Sequence, residues 1–211
     1  MQYGGTVSLS HAGVEGTGPE LSAVARAQRS LRAVRHYVDR PVDPDLVNGW
    51  LETARWCGSS RNSQPWRFFV IRNRRTLGEL AILGECSTHL ADASLAIVIS
   101  AVDGPYPFST TFDLGRVSQS LMLSAHADGV GSCIAIFEPD DNVQRARNLV
   151  GVPMSMACNL AIGFGYASEA PAESGPRPSP PGRLALRDLV AFDEGIVEPP
   201  NRRLRGQGAL R

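Results

Sequence analysis

Apolar residues recur along this chain in two rhythms, one at helical spacing and one in short unbroken runs. Leu21, Val24, Ala25, Gln28 and Leu31 follow helical spacing, which predicts a helix opening at Pro19. Asp43 and Pro44 read as the cap and first turn of a second helix. Leu46, Val47, Trp50, Leu51 and Ala54 would share one of its faces. Residues 66–71, WRFFVI, are short, aromatic and β-branched, as a buried strand is. Three further runs read the same way, at 94–102, 130–137 and 159–166. Helical patterns fall between them at 75–83, about 111–128 and 140–149. The long one carries Leu114, Val117, Leu121, Met122 and Ala125 on one side, and Gly129 stops it. A turn-rich crossing fills 103–111, a proline-rich loop fills 173–182, and a short helix is predicted near 184–191.

Strands and helices thus interleave around one sheet, which predicts a single α+β domain over residues 20–191. A flexible arm is expected at 1–19 and an Arg-rich tail at 192–211. No GxGxxG follows a strand, so a dinucleotide-binding βαβ unit is unsupported. Formal net charge is zero, so nothing global points to nucleic acid or a membrane surface. No apolar run has the length of a membrane span, and the N-terminal residues lack the pattern of a signal peptide. The expected location is the cytoplasm.

One compositional fact removes whole mechanisms. All 21 basic residues are arginine. Without lysine there is no Schiff base, so pyridoxal phosphate chemistry and lysine aldolases are excluded. A P-loop lysine is excluded for the same reason. The four cysteines form no CxxC pair, and with the four histidines they give no zinc-type spacing. They read as small buried hydrophobes. His36 and His126 read as helical and not catalytic.

Two stretches carry candidate chemistry. Arg29, Arg32 and Arg35 recur at three-residue spacing and would share a helix face. Three guanidiniums together call for an anion, and arginine suits phosphate; a solvated basic face is the alternative. The second stretch is CGSSRNSQPW, residues 57–66. Its small and amide side chains are richer in hydrogen-bonding groups than a connector requires. Pro65 and Trp66 read as structural, fixing the loop exit and starting the strand. Gln64 reads equally as a loop-closing group or a ligand contact. Tyr106, Phe108 and Phe112 read as packing or as the rim of a substrate mouth.

Taken in order, AVRHYVDRPV, GSSRNSQPWRFFVI, FDLGRVSQSLMLSAHADGVGSC, GVPMSMACNLAIGFGYASEAP and GRLALRDLV resemble the nitroreductase-like flavoprotein family over about residues 20–191. The resemblance implies a mixed, mainly antiparallel central sheet flanked by helices, and a homodimer with FMN at the subunit interface. It implies an FMN-dependent oxidoreductase in which NADH or NADPH reduces the flavin. The flavin would then reduce a nitroaromatic, a quinone or a related small acceptor by ping-pong hydride transfer through N5. The same scaffold serves flavin-dependent oxidases or dehydrogenases of small organic or peptide-derived substrates, and a non-catalytic flavin-binding protein is a further alternative.

Carried over by position, the resemblance places Arg32 and Arg35 among the phosphate ligands and has Arg183 returning to the same phosphate. Gly58, Ser59, Ser60 and Asn62 match residues that reach the flavin from the opposite subunit. Cys133, Ile134, Ala135 and Ile136 match the strand whose backbone passes N5. Three positions depart from the pattern: Ala33 stands where serine is frequent, Leu31 where a basic residue is frequent, and Pro181 where a lysine is. Arg29 or Arg61 would then compensate.

Overall fold

The computed structural model describes residues 21–102, 107–168, 186 and 189–191. The expected arm, the proline-rich loop, Tyr106, Arg183 and the Arg-rich tail lie outside the described residues. The chain falls into two compact units, Met1–Glu169 and Ala170–Arg211. In the second, the Leu189 N–H donates to the Leu186 carbonyl at 3.0 Å.

Among the described residues, the first unit is built on four strands: β1 (Trp66–Ile71), β2 (Leu95–Val102), β3 (Gly131–Ile136) and β4 (Met156–Gly165). Their order is β1-β2-β4-β3, and all three pairings are antiparallel. Five α-helices among the described residues accompany them: α1 (Ala23–Ser30), α2 (Pro44–Arg55), α3 (Arg74–Leu80), α4 (Pro107–Ala127) and α5 (Asp140–Val150).

Strand alternation divides the core in two. Leu95, Ile97 and Ile99 of β2 point to one face with Ile162 and Phe164 of β4, where they meet Trp50 of α2 and Val117 and Leu121 of α4. Ala96 and Val98 point to the other face with Ala135 and Ala161, against Leu77 and Leu80 of α3 and Ala146 of α5. Trp50 anchors the first layer. It is 1% exposed, its ring centroid lies 5.3 Å from that of Phe164, and its indole N–H donates to Asp128 Oδ2 at 2.7 Å.

Local signals explain the element ends. Ser22 caps α1 by accepting from the Ala25 amide, and Asp43 caps α2 by accepting from Asp45. Pro107 opens α4 in the first turn, where its missing N–H costs nothing. That helix therefore begins four residues before the expected start at 111 and takes in part of the expected crossing. Strand β4 begins at Met156, three residues early, because Met156 and Ala157 pair with Val102 and Ala101. Helix α3 ends at Leu80, short of the expected 83, and a 3-10 turn at Thr88–Ala91 intervenes before β2.

The expectation for the arginine stretch is corrected. Helix α1 stops at Ser30, and residues 32–38 run extended, making isolated bridges at Ala33–Ser132 and Tyr37–Ala167. Arg32 and Arg35 therefore share no helix face with Arg29. Arg32 instead closes the helix end, its Nη1 donating to the carbonyls of Arg29 and Leu31 at 2.7 and 2.8 Å. His36 stands in the extended segment and not in a helix. His126 lies in α4, its Nε2 2.7 Å from Ser30 Oγ. Cys133 and Cys158 are buried as expected, whereas Cys57 is half-buried and Cys86 exposed.

Candidate functional site

The extended segment after α1 is strapped to the ends of β3 and β4. The Val34 N–H donates to the Ser132 carbonyl and the Val38 N–H to the Tyr166 carbonyl, both at 2.9 Å. Tyr37 is buried beneath, its hydroxyl donating to the Val34 carbonyl at 2.6 Å. Burial pushes that phenol well above its ordinary pKa, so it stays neutral. Two glycines admit the strap. A Cβ on Gly131 would lie 2.7 Å from Val34, and one on Gly165 would lie 2.7 Å from Tyr37.

This strap and β3 enclose a cavity of about 300 Å³ lined by Arg32, Ala33, Arg35, Ser132, Cys133 and Ile134, with Leu31 and Met122 as apolar wall. Five residues singled out in the sequence thus meet at one opening. Ala135 instead points into the core, and Ile136 continues the exposed side of β3. Arg35 is exposed, and among the described residues no hydrogen bond or ion pair holds its guanidinium. Burial pushes the Cys133 thiol up, and the Arg35 charge pulls it partly back. The cavity is thus a place of unneutralised positive charge.

Register decides what β3 shows to that cavity. Because the Ser132 carbonyl accepts from Val34, the Ser132 peptide groups point out of the sheet. Phe137 donates inward to Asn159 at 2.9 Å, so Cys133 and Ala135 also pair inward. Alternation turns the Ile134 N–H outward. Among the described residues it has no ladder partner. Beneath it, His89 Nε2 contacts the Cys133 carbonyl at 3.1 Å, and the imidazole is 4% exposed. Burial lowers the His89 pKa, so the ring is neutral at pH 7 and Nε2–H can donate to that carbonyl.

The loop at 58–64 is separate from this cavity within one chain. Gly58 lines a second opening of about 720 Å³ with Cys57, Thr111, Phe112, Gly115 and Arg116. Arg61, Asn62 and Gln64 all have positive φ, at 53°, 55° and 46°. Non-glycine residues adopt this region at a cost, and such clusters mark binding segments. The loop closes on itself: the Gln64 N–H donates to Ser59 Oγ at 2.9 Å, and Gln64 Nε2 donates to Asn62 Oδ1 at 3.1 Å. Gln64 thus closes the loop. Pro65 and Trp66 are buried, which fits their structural reading. Phe108 and Phe112 are 84% and 59% exposed and do not serve as core packing.

Sequence reasoning missed the group that holds this loop. Asp113 is 2% exposed on α4, and its Oδ2 accepts from the Ser60 N–H at 2.8 Å. Arg116 stands 3.6 Å from its Oδ1. A carboxylate one helical turn before an arginine, within an apolar helix face, was the available signal. Asp113→Ala is expected to cost about 1–3 kcal/mol, because the half-buried Ser60 N–H loses its acceptor. Urea denaturation checks the cost. Amide exchange at Ser60 should accelerate with it, and unchanged exchange would show that Asp113 does not hold the loop.

Solved structures share this architecture. The chain superposes on the structure titled "FMN-dependent Nitroreductase" from Clostridium difficile R20291 with a TM-score of 0.65. That match has 22% identity and covers 80% of this chain and 98% of that one. The fold is therefore the nitroreductase fold, α+β with an antiparallel sheet flanked by helices. Residues 29–101 match the model of the nitroreductase family. A Methanothermobacter thermautotrophicus protein named "Putative NADH dehydrogenase/NAD(P)H nitroreductase" is 28% identical over 151 residues, covering 70% of this chain and 79% of that protein. A Thermus thermophilus protein named "NADH dehydrogenase" is 27% identical over 216 residues, covering 85% of this chain and all of that protein. The chain is thus similar to oxidoreductases of the nitroreductase family. Among the described residues, no helix is long and apolar enough to cross a membrane, and no His, Cys, Asp and Glu cluster could hold a metal ion.

Proposed function

We infer that this enzyme binds FMN in the Arg32/Arg35 cavity and uses NADH or NADPH to reduce a small organic acceptor such as a nitroaromatic or a quinone. The observation that carries this reading is the juxtaposition of two guanidiniums with the outward Ile134 N–H on one apolar-walled opening. Guanidiniums suit a phosphate dianion, and a fixed N–H suits a ring nitrogen acceptor. When bound, the flavin supplies the two-electron hydride chemistry that no side chain of this protein can supply. Arg32 and Arg35 neutralise its phosphate and fix its register. The Ile134 N–H would be the donor offered to the ring, and His89 would hold its peptide through the Cys133 carbonyl. Leu31, Met122 and Ile134 would shield the bound group from water.

Size and surface support a homodimer. A cavity of about 300 Å³ is at the lower limit for a ligand site, so one chain suits only part of a flavin. The preformed 58–64 loop has no role at its own chain's cavity and is suited to complete a second copy's site. Trp56 is 76% exposed, and with Val24, Phe108 and Phe112 it gives the helices more open apolar surface than a monomer needs. Gly58, Ser59, Ser60 and Asn62 would meet the flavin from the partner.

The test is the visible spectrum of the protein with FMN, followed by anaerobic NADH or NADPH. Flavin absorption that bleaches, and returns on adding a nitroaromatic or a quinone, is the expected result. Protein that takes up no FMN would overturn the reading. Bound flavin that neither nucleotide bleaches would overturn the reductase assignment alone.

A further inference from the structure

Ser132 carries a hydroxyl the fold leaves without a use. The residue is 2% exposed, and among the described residues its Oγ has no hydrogen-bond partner. Buried polar groups are nearly always paired, so an orphan at a cavity wall points to a ligand. Ser132 lines the same opening as Arg32 and Arg35. On β3 it shares a face with Ile134, which is 38% exposed, and not with Cys133 and Ala135 in the interior. Its bridge partner is Ala33. Bridged residues on neighbouring strands carry their side chains on one face, so the serine hydroxyl stands beside the alanine methyl. Position 33 is where the family resemblance leads one to expect a serine.

We propose that the Ser132 hydroxyl is a ligand of the phosphate monoester held by Arg32 and Arg35, supplied across the Ala33–Ser132 bridge in place of the hydroxyl that position 33 lacks. This rests on the flavin reading above. The single side-chain torsion moves the hydroxyl between staggered positions, so no existing hydrogen bond must break for it to meet a ligand. A neutral donor beside two guanidiniums adds a directed bond to a phosphate oxygen without adding charge. The consequence is selectivity for a flavin that bears a phosphate over one that does not.

Titration of the flavin-free protein with FMN and with riboflavin, followed by fluorescence, tests this. Ser132→Ala is expected to weaken FMN binding about tenfold or more and to leave riboflavin binding unchanged. Adding Ala33→Ser to that variant should recover most of the loss. Without ligand, the Ser132→Ala melting temperature should not fall, because the change removes an unpaired buried group. Wild-type FMN affinity in the Ser132→Ala protein would overturn the assignment. An equal loss for both flavins would also overturn it, since the hydroxyl would then act elsewhere on the ligand. Wild-type protein that binds neither flavin would instead fell the flavin reading, and this one with it.

Discussion

Replacing Arg32 and Arg35 together by alanine is expected to leave a folded protein that no longer retains FMN. Each guanidinium offers charge-assisted hydrogen bonds worth about 1.5–3 kcal/mol to a phosphate. Losing both removes roughly 3–6 kcal/mol, or about a hundredfold to ten-thousandfold in dissociation constant. Folding should suffer little, because both side chains are exposed and, among the described residues, make no ion pair. The one local cost is at α1, where Arg32 closes the helix end; such a contact is worth about 0.3–1 kcal/mol. Fluorescence titration beside a urea melt separates the two effects. Arg→Lys at both positions should recover only part of the affinity, since lysine restores charge without the planar fork. Undiminished FMN affinity in the double alanine variant would remove the phosphate site from this cavity.

The largest effect on folding is expected at Trp50. Its ring fills the layer between the sheet and the α2/α4 pair, packed on Phe164, and its N–H is tied to Asp128. Trp50→Ala leaves a cavity and is expected to cost about 3–5 kcal/mol, a large share of the roughly 5–15 kcal/mol that stabilises an ordinary domain. At about 2–4 °C per kcal/mol for a chain of this size, the melting temperature should drop by roughly 6–20 °C. Trp50→Phe keeps most of the volume and strands only the Asp128 contact, so its loss should be smaller. A Trp50→Ala melting temperature within a degree of wild type would show that the layer does not depend on this ring.

The strands were the most legible part of the molecule, because an apolar run as dense as LAIVISAV has nowhere to go but a doubly covered sheet; WRFFVI, expected as a buried strand, is instead an edge strand in which only Trp66 is buried. The arginine stretch was harder. Spacing by three reads as one helix face, yet the chain leaves the helix at Leu31 because Val34 finds a partner 98 residues away in Ser132. No local pattern carries that partnership. The same limit hid Asp113 and Ser132. One was an acid within a helix and the other a serine within a strand, and only tertiary neighbours gave them roles. Arg32, Ala33, Arg35, Cys133 and Ile134 could be gathered beforehand only through the family resemblance, not from spacing.

The edge strand sets a phase. Residues of β3 alternate between facing β4 and facing the cavity, so which peptide N–H the cavity receives depends on whether the count from Gly129 is odd or even. One residue inserted or deleted between α4 and β3, with the pairing restarted from the turn, would present Cys133 or Ala135 to the cavity in place of Ile134. It would also turn the isoleucines into the core. A whole-number property of a short turn, and not the chemistry of any side chain, thus selects the amide donor. Loop-length variation at this turn should therefore be far more restricted than side-chain variation along the exposed face of the strand it feeds.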